Sequence, residues 1–170
     1  GWHEQGLFVN RRLIFLKPDV LIAADEFYTG GAHTCRQFFH WGETGTLAPQ
    51  GDGFVWTGRR CTARLRQVSA APVAAELKTG RVARHYNHAA ENPVLETAVQ
   101  GRGFTGVFTV IALDRTGEEE PLTVEKLPVT SNFKGIRFAD KEIEAVRVRK
   151  GGRSWVVVVS HMEYASPTDT

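Results

Sequence analysis

The sequence predicts an all-β fold, an antiparallel β-sandwich of about a dozen strands. Three observations point there. Short runs rich in Val, Ile, Phe and Thr recur along the chain, separated by clusters of Gly, Pro, Asn and Asp. No stretch sustains a helical period over the length of a helix, and nothing repeats at the fixed spacing of a propeller or solenoid. With 170 residues and 42% hydrophobic side chains, the chain can bury one substantial core but is too short for two comfortable ones. Residues 1–165 therefore read as a single sandwich domain, and residues 166–170 as a tail.

In chain order, residues 1–5 form a polar lead-in and Gly6 opens the first strand. Leu13-Ile14-Phe15-Leu16 is an apolar run closed by Lys17-Pro18-Asp19, where proline presets the backbone dihedral that a turn needs. Residues 20–24 run back to meet charge at Asp25-Glu26. Both runs are apolar on both faces, which predicts strands inside a layered structure rather than at an edge. Thr29-Gly30-Gly31 reads as the next turn, because glycine takes positive φ without steric cost. Residues 34–41 form a third strand with Cys35, Gln37, Phe39 and Trp41 on one face. Residues 42–53, rich in Gly, Pro and Thr, read as a long exposed loop.

Sheet structure restarts at residues 54–57. Beyond it, Arg60, Arg64 and Arg66 alternate with Cys61, Ala63 and Leu65, which places three arginines on one strand face. Short strands follow at residues 73–77 and 82–86, a loop at 87–93, and strands at 94–99 and 104–113. Glu118-Glu119-Glu120-Pro121 is a solvated turn, and residues 122–129 and 135–138 are shorter strands. Asp140 could cap a helix, but Val146 and Val148 alternate with Arg147 and Arg149, which favours a strand ending at Gly151-Gly152. Residues 153–162 return as its partner. The expected core is Leu13, Phe15, Leu21, Phe39, Phe108 and Val157.

A formal charge of +2 says little about partners, no Lys/Arg run marks a nucleic-acid arm, and no apolar run approaches the roughly 20 residues that span a bilayer, so neither nucleic acid nor membrane is an expected partner. Cys35 and Cys61 could pair, although cysteines in strand contexts are commonly buried free thiols. The sequence begins with Gly1 rather than methionine, so it reads as processed, tagged or cut from something longer, and the missing leader says nothing about compartment. No nucleophile elbow, P-loop or dinucleotide fingerprint occurs. Asp25 and Glu26 are adjacent on a strand, face opposite ways, and cannot act as a catalytic pair.

Two stretches resemble the carboxy-terminal β-sandwich of the heparinase II/III-like polysaccharide lyases. The first comprises Asn10-Arg11-Arg12-Leu13-Ile14-Phe15, the Lys17-Pro18-Asp19 turn, the strand carrying Asp25, and Arg36-Gln37-Phe38-Phe39-His40-Trp41. The second comprises Arg84-His85-Tyr86, Asn92-Pro93-Val94-Leu95, a glycine-rich turn and Phe108-Thr109-Val110-Ile111. The resemblance implies a parent with an upstream α/α toroid, and an acidic, uronate-containing polysaccharide cleaved by β-elimination in a cleft between toroid and sandwich. It also implies a periplasmic or secreted protein. The family's catalytic residues lie mostly in the toroid. Its zinc-binding His-x-His, Asp-x-Gly and His-Asn segments have no counterpart here and are expected upstream of residue 1. This chain is therefore expected to carry no catalytic residues and no cofactor, with a structural zinc possible only in the parent.

Candidate substrate-binding residues are Trp56, Arg60, Arg64 and Arg66, as an aromatic and basic face for carboxylates or sulfates, with Arg84, His85 and Tyr86 as a second group. The competing readings are a solvated outer face for the arginines and core positions for Trp41, Trp56 and Trp155. His85 and His88 supply only two of the three or four ligands that zinc needs, unless His33 and His40 join them. A free-standing carbohydrate-binding module using the Trp56/Arg60/Arg64/Arg66 face is the alternative function.

Overall fold

The computed structural model describes residues 6–131, 134–139 and 141–161. Its described residues contain no helix and ten strands: β1 Leu7–Leu16, β2 Val20–His40, β3 Thr46–Gln50, β4 Gly53–Thr57, β5 Cys61–Ser69, β6 Val73–His85, β7 His88–Arg115, β8 Leu122–Leu127, β9 Ile143–Lys150 and β10 Arg153–Ser160. All pairings are antiparallel. Seven strands form one sheet in the order β1-β2-β7-β5-β4-β3, with β6 also on β7, and β10-β9-β8 form a second. The antiparallel β-sandwich is as the sequence predicts. The polar lead-in, Asp140, Met162 and the tail lie outside the described residues.

Several predicted breaks are absent, for one physical reason. Thr29-Gly30-Gly31 is not a turn but part of a single 21-residue strand, β2. Opposite it, the two predicted strands at 94–99 and 104–113 are one 28-residue strand, β7. Ladder register shifts between Thr29 and His33, facing Gly101 and Gly103, so the glycines bend the paired ribbon without ending it. Gly103 takes the left-handed conformation there (φ 73°), which a side chain would resist. The bent ribbon folds back on itself. Gln37, beyond the bend, donates to Asp25 before it, and the Arg11 guanidinium lies 5.6 Å from the ring centre of Phe39.

The ribbon therefore has cores on both sides. On its outer side the three-stranded sheet covers Val20, Ile22, Ala24, Phe108, Val110 and Ala112 with Leu122, Val146, Val148 and Val159. Inside the bend lie Phe27, Val99 and Val107, and further along Leu47, Leu65 and Leu95 with Phe39, Phe54, Trp41 and Trp56 half-buried. Phe108 is fully buried, as expected. Leu21, Phe39 and Val157 are only half-buried. Leu13 and Phe15 correct the predicted core. β1 lies at the sheet edge, and these side chains are 65% and 54% exposed. An edge strand lacks a neighbour to cover one side, so apolar residues on both faces did not mean burial on both.

Other local corrections follow the same logic. The predicted loop at 42–53 contains the short β3, which pairs with β4, and residues 73–85 are one strand rather than two. The 140–150 segment is a strand from Ile143 onward, while residues 135–138 contribute only an isolated bridge, Ser131 to Arg137. Cys35 and Cys61 are free thiols, and burial pushes the Cys35 thiol upward from its ordinary pKa.

Candidate functional site

The predicted Trp56/Arg60/Arg64/Arg66 face does not assemble. Trp56 is opposite Ala63 in the β4–β5 ladder, whereas Arg64 is opposite Val55, so indole and guanidinium leave opposite faces of the sheet. Three glycines enclose the indole. A Cβ on Gly42, Gly45 or Gly58 would stand 3.0, 2.3 or 2.4 Å from its ring atoms. Its Nε1 donates to the Gly42 carbonyl at 3.0 Å, and the ring stacks on Trp41 at 6.4 Å and 17°. Trp56 is a half-buried packing residue under a glycine-rich loop. Arg66 pairs with Asp52 at 2.6 Å, and Arg64, 7% exposed, pairs with Asp114 at 2.6 Å. Arg60 leaves the strand altogether. It stands exposed in the β4–β5 turn.

Arg84, His85 and Tyr86 sit together at the tip of the β6–β7 hairpin, where Asn87 turns the chain with a left-handed φ of 58°. Tyr86 is 95% exposed. Arg84 pairs with Glu43 at 2.7 Å, which ties the tip to the loop over Trp56. Glu43 is held below the usual carboxylate range first by a bond to its own backbone and then by Arg84. His85 faces His88 across the hairpin, but neither joins a cluster with His33 or His40 among the described residues.

The densest charged site is one the sequence did not reveal. Lys150, 1% exposed, ends β9 and points its ammonium among Asp19, Asp114 (2.8 Å) and the Leu113 carbonyl (2.6 Å). Arg153, just after the Gly151-Gly152 turn, makes two 2.8 Å bonds to Asp19 and one of 3.1 Å to Glu120. The Asp19 carboxyl is lowered from 3.8 to about 2, by the Arg153 bonds first and by Lys150 next, against the opposing effect of burial. Asp19, Asp114, Glu120 and Lys150 floor a cleft of about 440 Å³ whose walls include Arg60, Cys61, Arg115 and Glu118. Asp19, Asp114 and Glu120 stand close enough to share a cation. The Lys150 ammonium already takes that role, so the residues do not fit a metal ion as well.

Two further networks are buried and structural. Asp25, 2% exposed, takes both arms of Arg11 (2.5 and 2.9 Å) and the Gln37 amide. The Gln37 carbonyl in turn accepts from Thr97 and Gln67. Near the other edge, His161 places Nδ1 2.9 Å from Glu26 and Nε2 3.3 Å from Glu144, and these carboxylates meet Arg12 and Lys126. Arg11, Asp25 and Gln37 belong to the segments that carry the lyase resemblance. They meet at the bend, with Asp25 and Gln37 buried and Arg11 exposed at the rim.

The chain shares its fold with part of solved heparinase III and heparan sulfate lyase structures. It superposes on heparan sulfate lyase HepC from Pedobacter heparinus with a TM-score of 0.71 and 11% identity over 92% of this chain and 24% of that one. A mutant of the same enzyme gives 0.73 over the same shares, and a heparinase III crystal structure gives 0.72 with 12% identity over 91% and 24%. The chain thus spans about a quarter of the length of these enzymes. No family model matches the chain, and no curated protein sequence does.

Proposed function

We propose that this chain is the carboxy-terminal β-sandwich of a heparinase II/III-like polysaccharide lyase, a single domain over residues 1–165 that forms one wall of the cleft for an acidic polysaccharide. The observation that carries this reading is the superposition of nearly the whole chain on about a quarter of a heparan sulfate lyase. Support comes also from the arrangement of polar groups. Among the described residues, the buried carboxylates and the His161 imidazole are engaged in ion pairs that hold strands together. On this reading the chain is non-catalytic and takes its substrate together with an upstream α/α toroid. Any structural zinc belongs to the parent, and the protein is periplasmic or secreted.

The reading frame upstream of Gly1 tests the assignment directly. A long helical region carrying the His-x-His segment supports it, and a start codon at Gly1 removes it. The purified chain is expected to release no unsaturated uronate from heparan sulfate or alginate. Steady growth of the near-ultraviolet absorbance of that product, lost on changing His85 or Tyr86, would show that the domain is catalytic.

A further inference from the structure

The end of the sandwich that gathers the β1–β2 turn, the β4–β5 turn, the end of β7 and the β9–β10 turn carries an imbalance of free charge. Its carboxylates are almost all committed. Asp19 and Asp114 hold Lys150, Arg153 and Arg64; Glu120 holds Arg153; and Glu119 accepts from Thr62 (2.8 Å) and the Gly117 amide (3.0 Å). Its cations divide differently. The three that face inward are paired, whereas Lys17, Arg59, Arg60 and Arg115 are exposed and have no ion-pair partner among the described residues. Glu118 is the remaining exposed carboxylate on the cleft wall. Arg60 and Arg115 are close neighbours, because Cys61 is opposite Arg115 in the β5–β7 ladder and the Thr116 amide donates to the Arg60 carbonyl at 3.4 Å. Both line the 440 Å³ cleft.

We propose that this cleft is an anion site in which Arg60 and Arg115 take a sulfate or carboxylate group of an acidic glycan. The proposal rests on the polysaccharide reading above for the source of the anion, and on the geometry alone for the site. Guanidinium groups suit it because their planar donors bind such oxyanions in pairs, and these two are not already occupied by carboxylates. The paired floor fixes the cleft without neutralising its mouth. Lys150 and Arg153 hold the strand ends that carry the free arginines' neighbours, so the mouth keeps its shape when a ligand arrives.

The test is titration of the purified chain at low salt with a heparin oligosaccharide, with unsulfated alginate oligosaccharide and with inorganic sulfate, read by chemical shifts of the arginine side-chain nitrogens and by affinity. Arg60 and Arg115 are expected to shift together. The double variant Arg60→Ser/Arg115→Ser is expected to weaken heparin binding about tenfold. Its far-UV spectrum and urea midpoint are expected to match the parent's, since both side chains are exposed, and Arg60→Lys/Arg115→Lys is expected to restore part of the salt-dependent binding. Heparin binding that the double variant leaves intact overturns the site while leaving the glycan reading in place. Sulfate binding at Arg60 and Arg115 without glycan binding keeps the site and overturns the reading. Failure of all three ligands to move these resonances overturns the site.

Discussion

At the scale of the residue, what holds this protein together is close approach and buried charge. Gly53 is the sharpest case. A Cβ there would lie 2.1 Å from the Leu65 carbonyl, a backbone atom that cannot move without parting β4 from β5. Gly53→Ala is expected to cost about 2 kcal/mol or more in urea unfolding, the scale of overpacking in a filled site. A smaller loss would show that the two strands separate more easily than their ladder suggests. Asp25 offers a second test. Replacing it with Ala leaves the buried Gln37 amide without its acceptor, while the exposed Arg11 guanidinium turns to water, and is expected to cost about 1–3 kcal/mol. The same change in an Arg11→Met background should cost less, because the Arg11–Asp25 pair is already lost there.

At the scale of the element, the strands explain what the sequence could and could not disclose. Alternation and turn chemistry located most strands, including the choice of strand over helix around Val146 and Val148. Such patterns report which residues a strand buries on average, not which neighbours it has. Leu13 and Phe15 look like core residues until the sheet order puts them on an edge. The paired changes Phe108→Ala and Phe15→Ala separate the two cases. The first is expected to cost about 3–5 kcal/mol and the second less than about 1 kcal/mol. Equal losses in denaturant titrations would mean that β1 is covered in solution. Glycines at 30, 31, 101 and 103 look like chain reversals in the sequence, because a local signal cannot distinguish a turn from a bend shared by two strands. The Lys150 site was illegible for a related reason. Asp19, Asp114, Glu120 and Lys150 come from separate strands and loops, and no spacing links them.

At the scale of the molecule, the two ends and the two sheets are tied by ion pairs whose loss should be visible as acid sensitivity. The folded-state pKa of Asp19 lies near 2, below its ordinary 3.8, so its contribution is complete above about pH 4 and disappears as pH falls through about 2. Stability measured by urea unfolding is expected to decline over that window, and Asp19→Asn is expected to flatten the decline. An unchanged slope in the variant would assign the acid loss to other carboxylates. The bent ribbon carries a different consequence, in time rather than in energy. Residues 20–40 and 94–112 are separated by more than about fifty residues of chain, yet their ladder is common to the cores on both sides. Neither core can assemble before that distant pairing closes. Folding is therefore expected to run as one slow event, in about milliseconds to seconds, with the β6–β7 hairpin preceding it and both cores appearing at a single rate.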